Sequence, residues 1–171
     1  MTDDSPAFRR DALIEELLVD GVKKVSHAEL IDLLNQDLSR EYQAIIAYVV
    51  YSQVLKGSEF THVAGVLEEH VIRELYHARI LGEQIDYLAS MVVDEASALS
   101  TSKKAIEMLQ LERDHEAQII RNYSERISQC EYLDEYAICE QIRGIQIDKK
   151  IHQKALATAL SKNVSSQFQA A

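Results

Sequence analysis

Proline occurs once in the 171 residues, at Pro6, and glycine only five times. So few chain breakers exclude a turn-dense β fold and favour long helices. Cysteine is limited to Cys130 and Cys139. Two cysteines make no disulfide framework, and they read as free thiols in a reduced, cytoplasmic chain. No stretch reaches the roughly 18 uninterrupted apolar residues of a membrane span. Met1 to Arg10 is polar and carries no apolar core of a secretion signal. Basic residues are outnumbered 18 to 28, giving a net charge of −10. That argues against nucleic-acid binding through a basic surface and for attraction of cations. What is plentiful is apolar: 47% of residues are hydrophobic and 27% charged, enough for one domain with a full core.

The pattern predicts four long helices with a short extra one before them. Residues 1–10 read as loose and 11–25 as a short amphipathic helix, weakened by Gly21. Ser26 and Glu29 have capping-box spacing, which starts a helix running to about Lys56, with Gly57 as its stop. Ser58 is positioned to cap a second helix to about Ala89. Residues 90–101 form a connection without periodicity. A third helix covers 102–130, and Asp134 is positioned to cap a fourth to about Leu160. The chain thus divides into an extension (1–25), a four-helix bundle (26–161) and a flexible tail (162–171).

Each helix carries an apolar stripe in steps of three and four, and every stripe is interrupted near its middle by ionisable residues. Glu41 interrupts the first, Glu74 and His77 the second, Glu116 the third and His152 the fourth. A charge on a buried stripe is costly unless it is paired or holds a metal. Glu and His at i and i+3 share one helix face and can grip one ion together. Carboxylates mixed with imidazoles suit iron, manganese or zinc. Taken singly, each of these residues is more simply a solvated or satisfied side chain. Their common depth on four stripes is what points to a metal centre.

These residues resemble the bacterioferritin branch of the ferritin-like superfamily. Glu41 followed by Tyr48, Glu74-Leu-Tyr-His77-Ala, Glu116 followed by Tyr123, and Arg143 to His152 match its four ligand-bearing helices over about residues 26–161. The resemblance implies an all-α, antiparallel four-helix bundle with a long crossover between the second and third helices. It implies metal ligands Glu41, Glu74, His77, Glu116 and His152, with Tyr48 close to the metals. The chain also departs from the family. Lys149 stands where a Glu bridging both metals is expected. Leu75 stands where a haem-ligating Met is expected, so no haem is expected. The extension and the short tail argue against a closed storage cage.

Three carboxylates and one ammonium balance one dication better than two. Four further readings bear on this. Glu112, one turn before Glu116, joins the site; Lys149, buried next to metal, sheds its proton; Lys149 swings out and Asp148 approaches; Asp148, at i−4 from His152, orients that ring. His70 reads as an extra ligand or a core histidine. His115 reads as solvated or at a subunit contact, and Arg73 as lying beside an entry route for iron.

The leading expectation is an iron-binding protein, with one or two ions, that oxidises ferrous iron with oxygen or peroxide, its second metal position impaired by Lys149. Alternatives are a non-catalytic scaffold on a ferritin-like bundle, whose Lys149 salt-bridges Glu74 and Glu116 with no metal bound, and a di-metal oxygenase or peroxide-reducing enzyme. Outward Val49, Val50 and Ile80 predict at least a homodimer.

Overall fold

The computed structural model describes residues 18–19, 22–55, 57, 60–100, 102 and 104–169, and side chains only between 24 and 161. Of the short helix expected over 11–25, residues 11–17 lie outside the described residues. Beyond them, Leu18–Val19 (β1) and Val22–Lys23 (β2) pair antiparallel, with Val19 opposite Val22. That register leaves Asp20-Gly21 between the strands, a dipeptide strongly favoured in two-residue hairpins. The hairpin signal overrides a weak amphipathic pattern.

The first helix, α1, spans His27–Val54. It starts as expected: the Glu29 N–H donates to Ser26 Oγ at 3.2 Å and the Ser26 N–H donates to Glu29 Oε2 at 2.8 Å. Such a cap contributes about 1 kcal/mol. Gly57, with φ 107°, follows the helix end in a region that favours glycine. The second helix, α2, spans Thr61–Tyr87. Ser58 lies outside the described residues, and the N-cap is Phe60, which offers no side-chain bond.

The α2 terminus closes as a Schellman turn. The Ala89 N–H donates to the Asp86 carbonyl at 2.8 Å and the Ser90 N–H to the Ile85 carbonyl at 3.2 Å. Ala89 sits at the left-handed position, φ 57°, where a Cβ is strained. The third helix, α3, spans Ala105–Tyr132, starting a little later than expected. It ends in the same kind of turn, with Asp134 at φ 61°. Asp134 therefore does not cap the next helix. Its N–H donates to the Glu131 carbonyl, and the Glu135 carbonyl opens α4 by accepting from Cys139 at 3.0 Å. The fourth helix, α4, spans Tyr136–Gln169 and continues through most of the expected flexible tail.

Short turns join α1 to α2 and α3 to α4, so each pair forms an antiparallel hairpin, and the two hairpins pack together. The long crossover from α2 to α3 is held along α1 by side chains spaced in multiples of four. Asn35 accepts from the Val93 N–H at 2.8 Å, Ser39 Oγ donates to the Glu95 carbonyl at 2.8 Å, Gln43 Nε2 donates to Ala98 at 2.6 Å, and the Tyr51 hydroxyl to Ser100 at 2.7 Å.

The core is split into two apolar clusters. One includes Leu30, Leu34, Leu38, Leu81, Ile85, Ile127, Ile138 and Ile142. The other includes Tyr48, Leu67, Met108, Leu109, Leu156 and Leu160. Residues 41, 74–77, 116 and 149–152 fall between them on all four helices. Cys130 and Cys139 are both free and buried, and burial pushes the Cys130 thiol up to about 12. Ile80 is buried in the first cluster rather than outward, whereas Val49 and Val50 are exposed. No described helix is long and apolar enough to cross a membrane.

Candidate metal centre

The polar layer between the clusters is buried. Glu41, Glu74, Glu116 and Lys149 are each wholly buried, and His77 and His152 nearly so. The structure therefore brings together the five expected ligands and the lysine. Ligand atoms of Glu41, Glu74 and His77 lie within 4.8 Å of one another, and so do those of Glu74, Glu116 and His152. Glu74 belongs to both groups, which places it between the two positions.

Lys149 reaches the middle of this set. Its Nζ donates to Glu74, lies 2.9 Å from Glu41 Oε2 and 3.8 Å from Glu116 Oε1. It does not swing out. Burial opposes its charge, but Glu116, Glu41 and Glu74 together hold its pKa well above the ordinary lysine range. For Glu74 burial acts upward, and the Lys149 charge with hydrogen bonds outweighs it, so the carboxyl lies well below its usual range. Glu41 is raised to about 7, chiefly by burial, with Lys149 opposing.

The two imidazoles are held differently. His77 Nδ1 faces Glu74 Oε2 at 3.3 Å and Glu41 Oε2 at 3.6 Å, while its Nε2 contacts Asp148 Oδ2 at 3.1 Å. Asp148 thus orients His77, not His152 as its spacing suggests. It can do so because residue 148 projects from α4 toward α2, one position before Lys149. Burial opposes protonation of His77, but hydrogen bonds to Glu41 and Glu74 prevail and raise it to about 10. His152 Nδ1 lies 2.9 Å from Glu74 Oε1. Its ring stacks on His70 with centroids 3.8 Å apart. His70 is buried at this edge, and burial with the nearby His152 lowers it to about 4.

Two tyrosines cross-brace the layer. The Tyr48 hydroxyl donates to Glu116 Oε1 at 2.6 Å, and the Tyr123 hydroxyl donates to Glu41. Burial and the adjacent carboxylates push both phenols well above their ordinary range. Each tyrosine lies seven residues after the Glu on its own helix and bonds the Glu on the other, which requires α1 and α3 to run antiparallel. Tyr123 received no role from the sequence alone. The repeated Glu-to-Tyr spacing in α1 and α3 is the signal that marks it. Glu112 does not join the cluster; it faces His115, with Nδ1 and Oε1 3.5 Å apart. Arg73 is exposed and 4.0 Å from Asp148.

A second buried ion pair differs in kind. Arg126 Nε donates to Asp37 Oδ2 at 2.8 Å, and Arg126 also bonds Gln129. Arg40 completes Asp37 at 2.9 Å. This cluster is saturated. The central one is not: Glu116 Oε2 is buried without a hydrogen bond, and Glu41 Oε2, Glu74 Oε1 and His152 Nδ1 are met only by ion-pair contacts, Lys149 with Glu41 and His152 with Glu74, each at 2.9 Å. Buried polar atoms left short of hydrogen bonds cost free energy unless something bridges them. Carboxylate oxygens with an anchored imidazole fit a divalent metal ion, and Glu41, Glu74 and His77 supply three such ligands.

The ferritin-like domain family model matches residues 31–163. The chain is similar to a solved ferritin-like, diiron-carboxylate protein from Bacillus anthracis str. Ames, with a TM-score of 0.76 and 27% identity, over 78% of this chain and 96% of that one. It is similar in fold to the bacterioferritin-related protein from Bacteroides fragilis, described as a dodecameric thioferritin, with a TM-score of 0.77 and 24% identity, over 85% and 92% of the two chains. No curated protein sequence matches it. With the bundle, the crossover and the buried acid–imidazole layer all in place, the chain belongs to the ferritin-like domain family.

Proposed function

We propose that this protein binds ferrous iron at Glu41, Glu74 and His77, and that the Lys149 ammonium supplies the charge that a second ion would supply beside Glu116 and His152. The observation that carries this reading is the position of Lys149 Nζ, wholly buried and in contact with Glu41 and Glu74. Three carboxylates and one ammonium leave about −2 to be balanced, the charge of one dication; two would leave a buried excess that is costly even at an effective dielectric of about 20. The diiron-carboxylate relative supports iron as the ion. Manganese or zinc suits the same ligands.

Carboxylate-rich ligation favours ferric over ferrous iron, so the site suits oxidation of the bound substrate ion by oxygen or peroxide. The protein's own groups fix the geometry. Asp148 contacts His77 Nε2 and orients the ring so that Nδ1 faces the carboxylates, Tyr123 holds Glu41, and the two apolar clusters flank the layer on either side. Leu75, exposed on α2, offers no sulfur, and we propose no haem role. The exposed apolar side chains Val49, Val50, Ile72 and Leu75 support a homo-oligomer, at least a dimer.

Metal analysis after anaerobic loading with ferrous iron tests the reading. One tightly held iron per chain is expected, and ferric absorbance develops when oxygen or peroxide is admitted. Two ions held together within the Glu41, Glu74, His77, Glu116 and His152 cluster of the unaltered chain would refute the role given to Lys149. The Lys149→Glu variant is expected to bind a second ion. A second reading, a metal-free scaffold, is favoured by the contacts of Lys149 with Glu41, Glu74 and Glu116; it predicts no retained iron and no ferric absorbance.

A further inference from the structure

A second Glu-x-x-His pair, Glu112-Arg-Asp-His115, lies on α3 immediately before Glu116. Both side chains line a half-open cavity of about 100 Å³, walled by Gln43 and Tyr51 of α1 and by Leu99 and Ser100 of the crossover. The acid is inside and the imidazole nearer the surface: the Glu112 side chain is 3% exposed and that of His115 22%. Their mutual contact, 3.5 Å, is at the outer limit of a hydrogen bond. The polar groups around them are already committed. Gln43 Nε2 is bound to the Ala98 carbonyl and the Tyr51 hydroxyl to the Ser100 carbonyl. Among the described residues, no lysine or arginine makes an ion pair with Glu112.

A buried carboxylate that faces open space and a weakly held imidazole is an incomplete arrangement. Burial raises its pKa, and the contact with His115 only partly opposes this. Glu and His at i and i+3 present two ligands to one point. The cavity has room for an ion that keeps several waters, since one water needs roughly 10–15 Å³ of such volume. The ligand types suit a first-row divalent ion. Glu112 also stands one helical turn from Glu116, whose Oε2 is unpartnered, so the two carboxylates form a ladder from the cavity to the central cluster.

We propose that Glu112 and His115 form an outer divalent-cation site, the loading position from which an ion moves along α3 to Glu116 and the inner cluster. The binding half of this inference stands by itself. The loading half rests on the inner site proposed above.

Redox-inert Zn²⁺ is the probe, measured by equilibrium dialysis of the full-length protein and of His115→Gln, Glu112→Gln and Glu74→Gln. His115 is partly exposed, so its substitution leaves the core intact. The unaltered chain is expected to bind one more Zn²⁺ per chain than either His115→Gln or Glu112→Gln, and the inner site of both variants fills more slowly in a stopped-flow experiment. An unchanged count in both variants overturns the outer site. A reduced count with an unchanged filling rate overturns the loading role. Glu74→Gln separates this inference from the inner-site reading: if it keeps the full count while His115→Gln loses an ion, the inner site falls and the outer one stands.

Discussion

The α1–α2 hairpin brings Glu41, Glu74 and His77 to the centre, and the α3–α4 hairpin brings Glu116, Lys149 and His152. Each half has a Glu on its first helix, a tyrosine seven residues later, and a His three residues after the group that points inward on its second helix. They diverge at that inward group, which is a carboxylate in one half and an ammonium in the other. They also diverge in how the imidazole is held. His77 has Asp148 behind it, while His152 has the face of His70. One side-chain type at one position therefore converts a plan for four carboxylates into an asymmetric site. The frame of tyrosines and apolar clusters is undisturbed.

The largest expected effect comes from erasing that difference without restoring an acid. Lys149→Met leaves Glu41, Glu74 and Glu116 uncompensated, and the metal-free protein is expected to lose about 3–5 kcal/mol in urea unfolding. Added divalent metal should recover much of it. A variant as stable as the parent would show that charge does not distinguish the halves.

Next are Tyr48→Phe and Tyr123→Phe, which remove one hydrogen bond to Glu116 or Glu41. Each is expected to cost about 1.5–3 kcal/mol, because a charged buried acceptor is left short. Similar losses fit the shared plan, and a clear inequality in denaturant midpoints would show which half the metal-free fold depends on.

The pH dependence involves both imidazoles, since burial opposes the charge of His152 but its contacts with Glu116 and Glu74 raise it too; the His77→Gln variant isolates the α1–α2 one. His77 is raised from 6.5 to about 10. A raised group stabilises fully below its unfolded pKa and loses that contribution as pH climbs through the folded one. Thermal midpoints of metal-free protein should therefore fall between pH 7 and 10. His77→Gln should flatten that slope, and a slope unchanged in the variant would assign it elsewhere. Glu41, raised to about 7, already weakens the fold over pH 4.5 to 7, so the window above 7 is free of its contribution.

The smallest effect is a control outside both halves. Ala89→Gly relieves a left-handed alanine at the end of α2 and should add about 0.5–1 kcal/mol. It should do so equally with and without metal. A gain confined to one state would mean that the crossover senses the centre.

Much of this was legible because helical period and burial are local in sequence. The stripes placed Glu41, Glu74, His77, Glu116 and His152 inward, and the buried layer contains all five. The Ser26–Glu29 cap was readable because both partners lie within one turn. What failed depended on competition or on distant partners. Leu18–Val19 and Val22–Lys23 pair as strands where the sequence carries a weak helical pattern. Asp134 fits an N-cap by type, but the preceding helix claims it for its own terminal turn. Asp148 is spaced correctly for His152, yet its carboxylate meets His77 on α2. Tyr123 bonds a carboxylate far away in sequence, which periodicity does not assign.

By itself, the sequence determined which side chains face inward and that acids and imidazoles interrupt every stripe, because helix geometry sets direction from spacing alone. Only the tertiary structure decided which acid meets which tyrosine, which carboxylate anchors which imidazole, and that the lysine lies among three carboxylates. Those pairings follow from how two antiparallel hairpins register against each other, and that register is set by the packing of the apolar clusters on either side of the polar layer.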